Sequence, residues 1–271
     1  MNERIAPVSI PSNKKLDYYG TMTPLPEVIT QRIANPDNGQ RWPFPVGDPE
    51  FWKHSDKLLV KGGTALDLGM GFGRSSLYFA LNGMNVVGYE VAPKAIEAVK
   101  ALKDTFNLPI EIRQEDFGTV DLGENLYDTA FLAQTLVHSP SEDAAYELID
   151  KAIRTLKPGG RLWLRAAGIY DGAVDELSYY SQFSPEVHYE ADNLYFIPCA
   201  CSGEWKMEPQ IFLDPMEVAG HMAANGMKIE HTNVAPDEEK ANIMFGEDWK
   251  PDNPKSRYNF ITLIAQKPSL A

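Results

Sequence analysis

The stretch TALDLGMGFGRSS, residues Thr64–Ser76, decides the fold. It begins with a short apolar run, places glycine at alternate positions 69, 71 and 73, and continues into a helical pattern of apolar residues. That order predicts a strand, a tight loop and a helix, although an ordinary glycine-rich turn is the alternative. Glycine suits such a loop because it has no Cβ to obstruct positive φ values or the approach of a ligand. In open α/β sheets, a loop between a strand and the next helix is where cofactors bind.

Strands and helices alternate on both sides of this stretch. The predicted strands after the first lie at 85–90, 110–113, 128–132, 161–166, 227–231 and 258–265. The predicted helices begin at Asp48–Pro49, after Gly73, and at 93–106, 141–156 and Asp214–Pro215. This alternation predicts right-handed crossovers, and therefore a doubly wound, Rossmann-like α/β fold with a seven-stranded, mostly parallel sheet.

One domain with two additions accounts for all 271 residues. The first addition is an N-terminal arm and helix, residues 1–60, whose aromatic residues favour packing on the domain over disorder. The second is an aromatic-rich insertion after strand five, residues 167–213, in which 195–197 and 210–213 are predicted to pair as a hairpin. Residues 157–160, KPGG, are predicted to form a turn.

The composition excludes several classes of function. A net charge of −13 argues against a nucleic-acid partner, because binding phosphates requires clustered Lys and Arg. We see neither a signal-peptide core nor an apolar stretch long enough to span a bilayer, so we expect a cytoplasmic protein.

Cys199 and Cys201 are spaced more closely than zinc ligands and are predicted to be free thiols, with no metal site. We expect His221 to be a packed or surface histidine.

Four segments together resemble the class I S-adenosylmethionine-dependent methyltransferases. They are Leu66–Gly73 (LDLGMGFG), the acidic Glu90 that closes the second strand, Glu115–Phe117 after the third strand, and Leu156–Gly160 (LKPGG) before the fifth. The resemblance covers roughly residues 48–166 together with the last helix and the last two strands. It implies an antiparallel last strand and S-adenosyl-L-methionine as the cofactor.

The resemblance implies a role for each residue of the first strand end and loop. Asp67 would hold the cationic amino group of the methionine part, directly or through water. Gly69, Gly71 and Gly73 would let the backbone approach the amino-acid and ribose parts. The alternative for Asp67 is a cap that satisfies the amides of the loop.

Further cofactor contacts are implied at the ends of the next three strands. Glu90 would accept hydrogen bonds from both ribose hydroxyls, and Val91 would form a floor for the adenine. Asp116 would accept from the adenine amino group, while Phe117 or its amide contacts the ring. Gln134 would point toward the sulfonium. The alternatives are a solvated charge for Glu90, an acidic turn for Asp116 and a polar loop residue for Gln134.

The competing class is a dehydrogenase, because the same loop geometry serves nicotinamide cofactors. Ser76 stands where a dinucleotide fingerprint requires its third Gly or Ala. The segment 156–160 has no role in that fold, and the chain closes with the helix, strand, long segment and strand that methyltransferases have. These features favour the methyltransferase.

Methyl transfer is an in-line displacement, so the protein has to position the acceptor, exclude water and in some cases remove a proton. His138, in LVHSP after strand four, lies where many relatives place a residue that faces the acceptor, and it is the candidate catalytic residue. A structural histidine bonded to the loop backbone is the alternative. A general base could equally come from Tyr18, Tyr19, His188 or Glu190.

The insertion at 167–213 follows strand five, above the position of the cofactor's methyl group. Its aromatic residues predict a lid over a small, partly apolar acceptor, with a surface excursion or a dimer contact as the alternative. The candidate substrate-binding residues are Tyr18, Tyr19, Tyr170, Tyr179 and Tyr180.

The sequence therefore predicts an S-adenosylmethionine-dependent methyltransferase that acts on the O, N or C of a small molecule. One alternative is an enzyme of the same fold with non-methylating chemistry, such as a cyclase or pericyclase. The other is a non-catalytic protein that binds the cofactor.

Overall fold

The structure is a computed structural model that describes residues 49–167, 188–191, 194–199, 206–236 and 259–269. Five residues predicted to contact substrate lie outside the described residues: Tyr18, Tyr19, Tyr170, Tyr179 and Tyr180.

The described elements follow the predicted alternation. The helices are α1 (Pro49–Leu58), α2 (Arg74–Leu81), α3 (Pro93–Phe106), α4 (Glu142–Thr155) and α5 (Pro215–Ala224), and a 3₁₀ turn spans Leu136–His138. The strands are β1 (Thr64–Leu68), β2 (Asn85–Tyr89), β3 (Ile110–Arg113), β4 (Tyr127–Ala133), β5 (Leu156–Ala167), β6 (His188–Ala191), β7 (Leu194–Cys199), β8 (Lys206–Ile211), β9 (Lys228–Pro236) and β10 (Asn259–Gln266).

Seven strands form one sheet in the order β3-β2-β1-β4-β5-β10-β9. Strands β1 to β5 pair in parallel, whereas β10 runs antiparallel to both of its neighbours, β5 and β9. This confirms the predicted sheet with an antiparallel last strand. The strand order reverses between β1 and β4, and a crevice at the carboxyl ends of such strands is where open α/β sheets bind ligands.

Helices cover both faces of the sheet because successive strand residues point to opposite sides. Leu66 and Leu132 belong to the buried cluster that also contains residues of α4 and α5. Their neighbours Ala65 and Phe131 belong to the cluster on the other face, with Phe51 of α1 and residues of α2.

Side-chain caps fix two of the helix starts that the sequence predicted. The Ser141 hydroxyl accepts from the amide of Ala144 at 3.1 Å, at the start of α4. The Asp214 carboxylate accepts from the amides of Met216 and Glu217 at 2.7 and 3.0 Å, at the start of α5. Such caps satisfy amides that have no partner within the helix.

The turn predicted at 157–160 is a bulge within β5. Tyr127 pairs with Leu156 and Thr129 with Arg161, so the four residues between these partners leave the register. The amide of Gly159 donates to the Lys267 carbonyl at 2.8 Å, and the amide of Lys267 donates to the Gly160 carbonyl at 2.9 Å. The strand therefore starts earlier than predicted, because a distant part of the chain pairs with the bulge.

The described part of the insertion forms a second sheet, with the antiparallel order β6-β7-β8. Tyr195 pairs with Gln210, as expected for the predicted hairpin. Strand β8 lies against the 3₁₀ turn 136–138. Ile211, Phe212 and Leu213 are buried, and Ile211 and Leu213 belong to the main core.

Among the residues that the structure describes, no helix has the length and apolar character needed to cross a membrane.

Candidate functional site

The loop after β1 has three glycines in the left-handed region, with φ values of 73°, 52° and 75° at Gly69, Gly71 and Gly73. A Cβ on Gly69 would lie 2.6 Å from Thr135 Oγ1, and a Cβ on Gly73 would lie 2.8 Å from Val99 Cγ2. At Gly71, no atom of the described residues lies within 4 Å of that position, apart from those of Gly71 itself and of its two chain neighbours. The outer glycines are therefore required for space as well as conformation, and the middle glycine faces open space where a ligand has room.

Met70 anchors this loop in the core. Its side chain is buried with Ile96 and Val99, and it lies against Gly88, where a Cβ would collide with its sulfur. The amides of Gly69 and Met70 both donate to the Tyr89 carbonyl, at 3.0 and 2.9 Å. These contacts fix the loop to the carboxyl end of β2.

Asp67 lies at the end of β1 and is only 3% exposed. Its Oδ2 accepts from the Ser76 hydroxyl at 2.7 Å and from the Ser76 amide at 3.1 Å. Burial raises the pKa of Asp67 from 3.8 to about 6, and the bonds from Ser76 partly oppose that shift. The carboxylate thus caps the first turn of α2, which follows the glycine loop.

The carboxylate of Glu90 accepts from three backbone amides. Oε2 accepts from Gly71 at 2.7 Å, and Oε1 accepts from Val91 at 2.8 Å and from Ala92 at 2.9 Å. Glu90 is therefore tied to the backbone of the glycine loop and of the segment after β2. A carboxylate has about four acceptor positions, and the three amides take three of them. One ribose hydroxyl could use the remaining position, and a second hydroxyl would have to share or replace the bond to Gly71.

Beside this carboxylate, the apolar side chain of Val91 is 60% exposed. Its position is where the sequence predicted a floor for the adenine.

In the segment after β3, Asp116 is exposed whereas the side chain of Phe117 is buried. Asp116 is exposed, and its Oδ1 accepts from the amide of Gly118 at 2.8 Å. The Phe117 ring is 8% exposed and packs in the main core. The ring is therefore engaged in the core, and the Phe117 amide is the group that remains for a base.

Gln134, at the end of β4, is strained and incompletely bonded. Its φ is 63°, a conformation that residues other than glycine rarely adopt. Its amide donates to the Arg165 carbonyl at 2.7 Å, whereas its side-chain Nε2 is buried without a hydrogen-bond partner among the described residues. Strain and an unsatisfied polar group each cost about 1–3 kcal/mol, and both are typical of functional sites.

Two residues complete this site without having been predicted for it. Ser76 departs from the dinucleotide fingerprint, and both its hydroxyl and its amide donate to the carboxylate of Asp67. Thr135 Oγ1 donates to the Leu68 carbonyl at 2.9 Å and links the ends of β4 and β1. The sequence could have predicted the contact of Ser76, because a hydroxyl near the start of a helix often lies close to an acidic residue at the end of the preceding strand. No local pattern marks Thr135.

His138 ends the 3₁₀ turn, and its amide donates to the Thr135 carbonyl at 3.1 Å. It is exposed on the segment against which β8 packs. His138 therefore lies between the carboxyl edge of the main sheet and the sheet of the insertion. His188 and Glu190, the other described candidates for a general base, lie in β6.

The remaining predicted residues are placed as follows. His221 is a packed histidine, with its ring 4.6 Å from that of Tyr146 and Nε2 2.7 Å from Asp150 Oδ1. Cys199 ends β7, and Cys201 lies outside the described residues. Within the described ranges, no group of three or more His, Cys, Asp or Glu side chains could hold a metal ion.

The structure thus brings the predicted cofactor residues to one edge of the sheet. Asp67 and the glycine loop follow β1, Glu90 and Val91 follow β2, and Gln134 follows β4. Asp116 and Phe117 follow β3, which pairs with β2 at the end of the sheet.

Comparisons with known proteins agree with this architecture. Residues 66–164 match the family model of a methyltransferase domain. A curated relative, the S-adenosyl-L-methionine-dependent Diels-Alderase iccD of Talaromyces variabilis, is 32% identical over 144 residues, which are 50% of this chain and 48% of that protein. The match therefore spans about half the length of that relative.

Solved structures share the fold at low sequence identity. The 1,6-didemethyltoxoflavin-N1-methyltransferase of Burkholderia thailandensis, solved with 1,6-didemethyltoxoflavin and S-adenosylhomocysteine, is 17% identical with a TM-score of 0.53, covering 97% of this chain and 95% of that chain. An S-adenosylmethionine-dependent methyltransferase of Methanosarcina mazei is 18% identical with a TM-score of 0.59, covering 80% and 97%. The solved structures share the fold that the sequence predicted, and the match to the methyltransferase-domain model over residues 66–164 agrees with the resemblance to the class I methyltransferases.

Proposed function

We propose that this protein is an S-adenosylmethionine-dependent enzyme that transfers a methyl group to the O, N or C of a small, partly apolar molecule in the cytoplasm. The observation that carries the proposal is the glycine loop. It leaves open space at Gly71 among the described residues, where the Gly71 amide bonds Glu90 and the buried carboxylate of Asp67 bonds Ser76 at the start of α2. The methyltransferase-domain match over residues 66–164 supports the same conclusion.

The residues present fit this cofactor. Asp67 offers a carboxylate to the ammonium of the methionine part, and the space at Gly71 admits the chain between that part and the ribose. Glu90 offers its remaining acceptor position to a ribose hydroxyl, and the exposed Val91 offers an apolar surface to the base. When bound, the cofactor supplies an electrophilic methyl group on a cationic sulfur.

The chain's own residues have to position the acceptor and exclude water. Gln134 offers a buried amide that has no partner among the described residues and that a ligand oxygen would satisfy. His138 is the proposed proton acceptor, on the turn between the two sheets. The insertion is the proposed lid over the acceptor, because β8 lies against that turn. Tyr18, Tyr19, Tyr170, Tyr179 and Tyr180 remain proposed acceptor contacts.

A second candidate uses the same cofactor without transferring the methyl group, as in a cyclase or pericyclase. It is supported by the Diels-Alderase that shares 32% identity over half of this chain. A fixed cationic group can stabilise charge that develops in a transition state without being consumed.

The two candidates differ in the fate of the cofactor. The protein is incubated with S-adenosylmethionine and a panel of small apolar nucleophiles and polyenes, and products are analysed by mass spectrometry. Methyl transfer gives a product heavier by one CH₂ unit and an equal amount of S-adenosylhomocysteine. Turnover to an isomer of unchanged mass, with the cofactor intact, would instead establish the second candidate. Absence of S-adenosylmethionine binding in calorimetry would contradict both.

A further inference from the structure

One ammonium group holds the segment that follows β3. Lys151, on α4, donates from Nζ to the carbonyl oxygens of Phe117 at 3.5 Å, of Gly118, and of Val120 at 3.4 Å. The side chain is half-buried, and none of the ion pairs found among the described residues includes it. A lysine ammonium has three N–H donors, so three converging carbonyls match its full donor capacity.

The segment that Lys151 holds has a fixed shape of its own. Asp116 accepts from the amide of Gly118 at 2.8 Å through its side chain, and its carbonyl accepts from the amide of Thr119 at 3.0 Å. The Phe117 ring is buried in the core, and Lys151 binds the carbonyls of the backbone. Those two anchors leave Asp116 exposed at the end of β3.

We propose that Lys151 is a positioning residue that sets Asp116 and the Phe117 backbone to distinguish adenine from other bases. This inference rests on the proposed function, because it assumes that the cofactor's base lies against this segment. Without the ammonium, the three carbonyls lose the donor that α4 gives them. A shift of a few tenths of an ångström weakens a hydrogen bond to a base edge, since such bonds are sensitive to distance and angle.

The test compares two ligands that differ only at the base. S-adenosylhomocysteine carries an amino group where S-inosylhomocysteine carries a carbonyl, so the donor meant for Asp116 becomes an acceptor. We expect the wild-type protein to prefer the adenine ligand by about tenfold or more in calorimetry, because a site built to receive a donor rejects the analogue that lacks it.

Lys151→Met keeps the length of the side chain and removes its donors. We expect this variant to reduce the preference for adenine by about three- to tenfold, the scale of one or two hydrogen bonds. Binding of the inosine ligand should change less. The matched control is Lys100→Met, at an exposed lysine on α3, which should keep the wild-type preference. A residue with a purely structural role would weaken both ligands equally and leave the preference unchanged.

Each result decides between the proposals. Failure of the wild-type protein to bind S-adenosylhomocysteine would overturn the proposed function. Equal binding of both ligands by the wild type, or an unchanged preference in Lys151→Met, would overturn the role of Lys151 alone. If the Met variant does not fold, Lys151→Arg is measured instead, because a planar guanidinium retains the charge but does not match three converging carbonyls. If Lys151→Arg prefers the adenine ligand as strongly as the wild-type protein does, the inference is likewise overturned.

Discussion

At the scale of single residues, the buried carboxylate of Asp67 combines two functions. It caps the first turn of α2 through Ser76, and it lies beside the loop that the cofactor is proposed to contact. Burial raises its pKa to about 6, well above the ordinary value of 3.8. Folding therefore favours the protonated form of Asp67. The stability that this preference contributes is complete below pH 3.8 and is lost as the pH rises through about 6. At neutral pH the ligand-free protein holds a buried anion, which a bound ammonium would stabilise.

We therefore predict that affinity for S-adenosylmethionine rises with pH through about 6, because the ionised form of Asp67 pairs with the ammonium. Below that pH, the affinity should fall by up to about tenfold for each unit. Calorimetry from pH 5 to pH 8 measures the profile. Asp67→Asn should weaken binding at pH 8, flatten the profile and raise the thermal midpoint of the ligand-free protein. A wild-type profile without any dependence in this range would exclude Asp67 from the cofactor site.

His138 gives the second prediction at this scale. Its position on the turn between the two sheets suits a group that faces the acceptor, and histidine accepts a proton near neutral pH. We expect His138→Ala to keep the cofactor affinity and the thermal midpoint but to slow methylation by about 10²–10⁴-fold.

His138→Asn is the matched variant, since an amide can hydrogen-bond but cannot take the proton. It should recover little of the rate. Full activity of both variants in a steady-state assay would leave His138 as a structural residue of the turn, and catalysis would then depend on positioning alone.

At the scale of elements, local signals predicted most boundaries. Helix α3 and strand β3 have the predicted limits, because Pro93 starts the helix and a clear apolar period runs through it. The bulge at 157–160 was not predictable, since its hydrogen-bond partner Lys267 lies at the far end of the chain.

The same distinction applies to the candidate site. The order of motifs along the chain placed Glu90 near the glycine loop. It did not reveal that the carboxylate bonds the amide of Gly71, because that contact depends on how β1 and β2 align in the sheet. The side-chain Nε2 of Gln134, which has no hydrogen-bond partner in the part of the chain that the structure describes, is buried by tertiary packing, which no local pattern encodes.

The insertion can be tested as an element. We predict that replacing residues 168–209 with a Gly-Ser linker leaves cofactor binding nearly intact and abolishes turnover, because the cofactor residues lie on the main sheet and β8 lies against the turn of His138. Calorimetry measures binding, and product formation measures turnover.

A longer deletion, through Leu213, is the matched control. It also removes Ile211 and Leu213, which are 1% and 0% exposed, so it should destabilise the protein by several kcal/mol, since each buried apolar side chain contributes about 2–5 kcal/mol. Turnover by the shorter deletion would show that the insertion is a surface excursion. Failure of the shorter deletion to fold would make the insertion structural.

At the scale of the whole molecule, the net charge and the geometry of the glycine loop both favour a ligand that carries no phosphate. The chain carries a net charge of −13, and two carboxylates bond to the loop and the helix that follows it, Glu90 to the amide of Gly71 and Asp67 to Ser76. In dinucleotide-binding proteins, the amides of the equivalent loop bind a pyrophosphate at the helix start. Here the amide of Gly71 donates to Glu90, so a carboxylate occupies one of the donors that a phosphate would need.

This arrangement predicts the selectivity of the protein between cofactors. At a ligand concentration 100 times the dissociation constant, S-adenosylmethionine should stabilise the protein by about 2.7 kcal/mol. For a chain of this size, that corresponds to a rise in thermal midpoint of roughly 5–10 °C. S-adenosylhomocysteine should also raise the midpoint, whereas NADP should not, because its phosphates would meet the carboxylate of Glu90. Glu90→Ala should reduce the rise, since a hydrogen bond from a ligand hydroxyl to a charged group contributes about 1–3 kcal/mol. A rise with NADP and none with S-adenosylmethionine would overturn the assignment of the cofactor.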